Sequence, residues 1–228
     1  MDASYRIRNV EALPSPALVF YEDKIRRNIA RIGERLGGFS RLRPHIKTHK
    51  CREILRLQMA AGIIRVKCAI PKEVRLAAET GVRDILLAYP IVGPLAAQAA
   101  ALQREYPQIE LLVLADHRDQ VTWLAGACRA AGVEVGVLID VNSGMNRTGV
   151  EAGDRAVALV EHVHAAKGLR FAGLHSYGSP PASGAPEARE AVYRGALQTV
   201  VDTRRALERK GIAVPRVVAG NSIDFLLA

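Results

Sequence analysis

A recurrent unit restricts the fold more than any other feature: a helical stretch closed by a glycine, an aliphatic residue, and then a short apolar run. It appears as AAGIIRVKCA around Gly62, ETGVRDILLAYP around Gly81, AAGVEVGVLIDV around Gly132, AKGLRFAGLHSY around Gly168 and RKGIAVPRVVAG around Gly211. Glycine just past a helix end lets the backbone turn left-handed. The runs that follow are rich in Val, Ile and Leu, as strands buried on both faces are. Amphipathic helices separate them. Val121, Leu124, Ala125 and Cys128 share one helical face, and Ala156, Leu159, Val160 and Val163 share another.

Seven strands are predicted, at Leu42–Lys47, Arg65–Ala69, Asp84–Tyr89, Glu110–Leu114, Glu134–Val141, Arg170–Tyr177 and Arg216–Ala219, after an extended piece at Ala17–Tyr21. Strands alternating with helices imply parallel, right-handed βαβ units. Such a series fits a doubly wound sheet or an eight-stranded barrel one unit short. No Rossmann glycine fingerprint follows the first strand, so the predicted fold class is α/β, a (β/α)8 TIM-type barrel. Residues 1–228 are read as one barrel domain, long enough at 228 residues and 49% hydrophobic for a full core. VVAGNSIDFLLA stops just past the seventh strand, and a closed barrel needs one more strand to cover its edge. The expectation is a chain truncated before the eighth strand. SPPASGAPEA, Ser179–Ala188, is the one loop-like stretch.

Composition excludes some partners. The net charge is +9, but Lys and Arg are spread over helical segments, with only six Tyr and four Phe to stack on bases, which argues against nucleic acid. An anionic small ligand suits the charge better. No run of about 18 apolar residues argues for a membrane span. MDASYRIRNVEALPSP has no apolar core of a secretory signal. The three cysteines, Cys51, Cys68 and Cys128, are scattered and form no CxxC pair, so reduced thiols and a cytoplasmic location are expected.

Four segments carry candidate chemistry. In RLRPHIKTHK, Arg41–Lys50, Pro44 sets an extended entry and His45, Lys47 and His49 alternate onto one face of a strand. A solvated basic loop is the plain alternative. At the carboxyl end of the first barrel strand, Lys47 would face the end where barrel active sites are built. A lysine in a crowded, cationic barrel mouth has its ammonium form disfavoured and can act as a nucleophile. DVNSGMNRTGV, Asp140–Val150, follows a strand and reads either as a turn or as a platform for Arg147. In GLHSYGSP, Gly173–Pro180, His175 and Tyr177 lie two apart and face the same way, His175 being either a hydrogen-bonded core residue or a site residue. In AGNSI, Ala219–Ile223, Gly220, Asn221 and Ser222 read as a helix N-cap, an anion cradle, or both.

PHIKTHK resembles the cofactor-lysine motif of the D-threonine aldolase and D-serine dehydratase family, which shares its barrel with the alanine racemases. SPALVFYEDKIRRNI is similar to that family's entry segment, and the likeness runs from about Pro16 to Ser222. The resemblance implies pyridoxal 5'-phosphate as cofactor, with Lys47 forming the internal aldimine. GMNR is similar to the family's Gly-Met-x-Arg motif, whose arginine approaches the cofactor's phenolic oxygen, a role that falls to Arg147. Tyr177 matches the position behind the pyridine ring, with His45 and His175 as neighbours of the cofactor. Gly220, Asn221 and Ser222 resemble the phosphate motif of alanine racemases, whereas D-threonine aldolases more often carry glycines there.

The resemblance further implies a small D-amino acid as substrate and a homodimer when the protein is full length. A divalent metal, held by a C-terminal β domain absent from this chain, would grip the substrate β-hydroxyl; His162 and His164 read as helix surface. Retro-aldol cleavage of β-hydroxy-D-amino acids is the leading expectation. D-serine dehydration, racemisation, a non-catalytic pyridoxal-phosphate homeostasis protein and a cofactor-free binding barrel are the alternatives. Without its eighth strand and second domain, the chain as given is predicted to be poorly active or inactive.

Overall fold

The computed structural model describes residues 5–178 and 184–222. Helix α1 (Glu22–Leu36) and helix α2 (Arg52–Ala60) lead into six strands: β1 (Arg65–Cys68), β2 (Asp84–Pro90), β3 (Glu110–Ala115), β4 (Val135–Asp140), β5 (Leu169–Ser176) and β6 (Val217–Ala219). The crossover helices are α3 (Pro71–Thr80), α4 (Leu95–Glu105), α5 (Arg118–Ala131), α6 (Asp154–Ala165) and α7 (Pro186–Arg209). All strand pairs are parallel and the spatial order is the chain order. The five repeat glycines all have positive φ, as the repeat unit requires. Helix α7 starts inside the stretch expected to be loop, with Pro186 in its first turn, where the missing N–H costs nothing. The rest of that stretch, 179–183, lies outside the described residues.

The sheet curls into a half-barrel, as one contact demonstrates. Lys67 Nζ of β1 lies 3.3 Å from His175 Nε2 of β5. Those strands are four places apart, and at roughly 4.8 Å per place a flat sheet would hold them about 19 Å apart. Arg216, just before β6, similarly reaches Asp84 of β2 at 3.6 Å.

Period-2 alternation sorts the strands into two cores. Ile85, Leu87, Leu111, Val113, Val135, Val137 and Ile139 face outward and pack with the helices. Leu86, Leu112, Leu114, Leu138 and Ala172 form a smaller cluster inside the curl. The helix faces expected around Val121 and Ala156 are buried in the outer core. At the amino-terminal ends of the strands the interior turns ionic. Arg43 donates to Asp84 at 2.8 Å, and Arg170 and Arg216 donate to Glu110 at 2.9 and 2.8 Å.

In β5 the alternation breaks. Val137 pairs with Phe171, but its neighbour Leu138 pairs with Gly173, so β5 carries an extra residue. Phe171 and Leu174 consequently both face the helices. Everything after the bulge has changed faces, and His175 turns inward beside Asp140.

The strand predicted at Leu42–Lys47 does not form. A single parallel bridge, His45 to Lys67, is all that remains of it, and Ile46–Thr48 is a one-turn 3-10 helix. His45, Lys47 and His49 therefore do not alternate on one strand face. The cause is local satisfaction of the backbone. The N–H of Lys47 donates to His45 Nδ1 at 3.3 Å, and those of His49 and Lys50 donate to the Ile46 oxygen at 3.2 and 2.9 Å.

Candidate active site

The candidate residues follow the carboxyl ends of β1's bridge partner, β4, β5 and β6, and so belong to one rim of the half-barrel. That rim is where parallel βα folds build their chemistry.

Lys47 sits on the 3-10 turn after that bridge and is exposed. Its neighbour Ile46 is fully buried and anchors the turn to the core. Lys50, in the left-handed region at φ 46°, reaches the buried carboxylate of Glu73 at 3.4 Å, tying the turn to α3. Half-buried His45 lies beside Lys47, and its pKa is lowered to about 4, by burial first and then by the charges of Lys47, Lys67 and His175. The expectation of a Lys47 side chain inside a crowded barrel mouth is corrected. The enclosed lysine is Lys67, 9% exposed. Residues 46–48 form a turn in place of the extended backbone expected there, and Lys47 on it is exposed.

The interior beneath the rim holds a chain of three side chains. His175 Nδ1 lies 2.7 Å from Asp140 Oδ1, and its Nε2 lies 3.3 Å from Lys67 Nζ. Thr148 donates to the other Asp140 oxygen at 2.9 Å. Burial and the Lys67 charge push the His175 pKa down, with Asp140 opposing. The His175–Asp140 contact is accordingly a hydrogen bond from a neutral imidazole to a carboxylate. His175 is thus a hydrogen-bonded interior residue at the floor of the rim, as the first of its two sequence readings has it. Neither Lys67 nor Asp140 was identified from sequence. A lone lysine in the apolar run RVKCA was the available signal for the first, and the acid ending VGVLID for the second.

Arg147 and Tyr177 come together above this floor. The guanidinium carbon lies 4.5 Å from the Tyr177 ring centroid, a stacked cation–π geometry. They line a small cavity of about 10 Å³ with Asp140, Asn142, Ser143 and Met145. The loop carrying Arg147 is a turn, as its composition suggested, and a well-tied one. Asn142 Oδ1 accepts from the N–H groups of Gly144 and Asn146 at 3.0 and 3.2 Å. Ser143 shares a 2.6 Å hydrogen bond with Ser176 and donates to the Gly178 oxygen at 2.9 Å, clamping the β4 loop onto the end of β5. Turn and platform are one structure.

Gly220, Asn221 and Ser222 follow β6, with φ 100° at Gly220, Asn221 half-buried and Ser222 exposed. The helix expected after this turn lies outside the described residues. Among the described residues no group of three His, Cys, Asp or Glu side chains could hold a metal. No helix of the described residues is long and apolar enough to cross a membrane.

Residues 21–228 match the family described as alanine racemase, N-terminal domain. The chain is 31% identical over 182 residues to a D-threonine aldolase of Arthrobacter sp., covering 79% of this chain and 48% of that protein. It is 30% identical over 220 residues to the D-threo-3-hydroxyaspartate dehydratase of Delftia sp., covering 95% of this chain and 57% of the relative. Among solved structures, the D-threonine aldolase of Filomicrobium marinum superposes with a TM-score of 0.84 at 33% identity, over 93% of this chain and 57% of that one. The chain spans about half the length of the relatives it matches.

Proposed function

This chain belongs to the alanine racemase N-terminal domain family, and on that premise we propose that it is the pyridoxal-phosphate-binding barrel of a lyase for β-hydroxy-D-amino acids. Its reaction on this reading is retro-aldol cleavage of the Cα–Cβ bond to glycine and an aldehyde. One observation carries the reading: an exposed primary amine on a fixed turn, Lys47, shares a barrel rim with a stacked guanidinium, Arg147, and a Gly-Asn-Ser turn after the last strand. That donor set fits the cofactor. The amine suits its aldehyde, the guanidinium its phenolic oxygen, and the N–H and hydroxyl groups of Gly220, Asn221 and Ser222 its phosphate.

When bound, pyridoxal phosphate supplies an electron sink that weakens the bonds at the substrate α-carbon. The protein's part is orientation and charge. Lys47 is the residue that would hold the cofactor, its primary amine being suited to the aldehyde. Neutral His45 adds no positive charge beside that amine at neutral pH. Arg147, fixed by the Tyr177 ring, presents a permanent positive charge that no proton movement can cancel. Tyr177 offers its ring as a packing surface and its hydroxyl as a polar handle.

The likeness to the dehydratase over 95% of this chain favours β-elimination as a second reading. The deciding experiment is to add pyridoxal phosphate to the wild type and Lys47→Ala and read the visible imine band. D-threonine, D-serine and D-alanine are then supplied, scoring glycine, pyruvate or L-alanine. No band in the wild type, or a band that survives Lys47→Ala, overturns the proposal.

A further inference from the structure

Three strands that are not all neighbours send one polar side chain each to the same interior point: Lys67 from β1, His175 from β5 and Asp140 from β4. All are at most 9% exposed. A buried lysine and a buried carboxylate each carry a heavy desolvation cost unless they are paired and hydrogen-bonded. Here the imidazole stands between them, 3.3 Å from the amine and 2.7 Å from the carboxylate. A carboxylate can only accept, so the Nδ1 of His175 must carry the hydrogen. The Nε2 lone pair then faces Lys67, whose ammonium can only donate.

From this geometry we propose that Lys67, His175 and Asp140 form a single hydrogen-bonded unit in which Lys67 is a positioning residue, fixing His175 as the uncharged Nδ1–H tautomer. Its purpose rests on the cofactor reading above; its arrangement does not. With both ring nitrogens engaged, His175 exchanges no proton with a ligand. It acts as a rigid, uncharged wall under the rim, and the positive charge of the unit stays on the β1 side, toward His45 and the Lys47 turn. The alternative placement, a neutral Lys67 and a charged imidazole, needs only one proton to cross the 3.3 Å gap. The charged groups around His175 decide against it. Lys67 from β1 and Arg43 from the segment before β1 both oppose a positive ring, and burial opposes it further; Asp140 alone favours it. His45 is neutral at neutral pH and adds nothing to either side.

The test is a histidine ¹⁵N titration of the chain without cofactor, with His175 identified among the six histidines by its loss in His175→Gln. The wild type should show an Nδ1–H imidazole that stays neutral through the range where an ordinary histidine titrates, near pH ~6.5. Lys67→Met should raise its protonation midpoint by about one pH unit or more and scramble the tautomer, and Lys67→Arg should restore both. An unchanged midpoint and tautomer in folded Lys67→Met overturns the proposal. Where that variant fails to fold, the wild-type spectrum still decides, since an Nε2–H or charged ring contradicts the unit outright. Adding pyridoxal phosphate separates the two claims. A visible imine band in wild type and Lys67→Met alike is expected. Its absence with the titration intact strikes only the cofactor reading.

Discussion

Gly173 packs so closely on Arg216 that a Cβ at position 173 would overlap the Arg216 backbone oxygen, the same oxygen that accepts from the Leu174 N–H at 3.0 Å. With φ at 130°, the position is also outside the range of an ordinary L-residue. The bulge that turns His175 inward depends on this approach. Gly173→Ala is expected to cost roughly 2–4 kcal/mol, the sum of backbone strain and displacement of β6. Urea unfolding measures it. A loss below half a kcal/mol would show that β6 can move aside freely.

Lys47 is exposed and anchors nothing, whereas its neighbour Ile46 is buried. Lys47→Ala should therefore leave stability within about 0.5 kcal/mol while removing the visible band formed with pyridoxal phosphate. Unfolding and absorbance on the same sample separate the two effects. A destabilised variant would mean that loss of the band reports misfolding.

Asp140 accepts from His175 and Thr148 in a buried setting. Asp140→Ala strands both donors and removes the buried negative charge next to His175. A loss of about 3–5 kcal/mol is expected from breaking a buried charged network. A replacement that neutralises the whole unit, such as Lys67→Met with His175→Leu and Asp140→Leu, should cost much less. Equal destabilisation by the single and triple changes would contradict the network account.

Acid should weaken the fold before it reaches ordinary carboxylate pKa values. The pKa of His45 is about 4 in the fold against 6.5 ordinarily, so between those values the unfolded chain binds the proton and the folded chain resists it. Stability is then full above pH 6.5, falls as pH drops toward 4, and loses on the order of 1–3 kcal/mol from this group. His49 and His175 are shifted in the same direction. His45→Gln should flatten the slope in urea midpoints over this window, and an unchanged slope would remove His45 as its source.

The Arg147 guanidinium carbon lies over the Tyr177 ring, 4.5 Å from its centroid, and a planar guanidinium suits such a contact better than an ammonium does. Arg147→Lys keeps the charge and loses the plane. Affinity for pyridoxal phosphate should fall about tenfold, with Arg147→Ala falling further. A cofactor titration followed by absorbance gives both values; an Arg147→Lys variant that binds as tightly as wild type would leave only charge as the requirement.

The sequence by itself determined the order of the six strands from Arg65 onward and of their crossover helices, the glycine stops and the rim on which candidate residues gather. Each depends on periodicity and turn chemistry within about ten residues, the range over which a chain signals its local structure. Arg147's loop was legible for that reason, its Asn-Ser-Gly turn chemistry being local. Two matters were decided by the tertiary structure alone. An inserted residue in β5 reset a count of two and exchanged its faces, and that insertion exists only against the register of β4. The curl of the sheet then brought Lys67 to His175 across strands that sequence places 108 residues apart. Beside β1, by contrast, the turn at Ile46 is made by the chain's own backbone groups and carries an exposed Lys47. The enclosure of Lys67 is thus a property of strands distant in sequence, whereas the turn that carries Lys47 is made by contacts within a few residues.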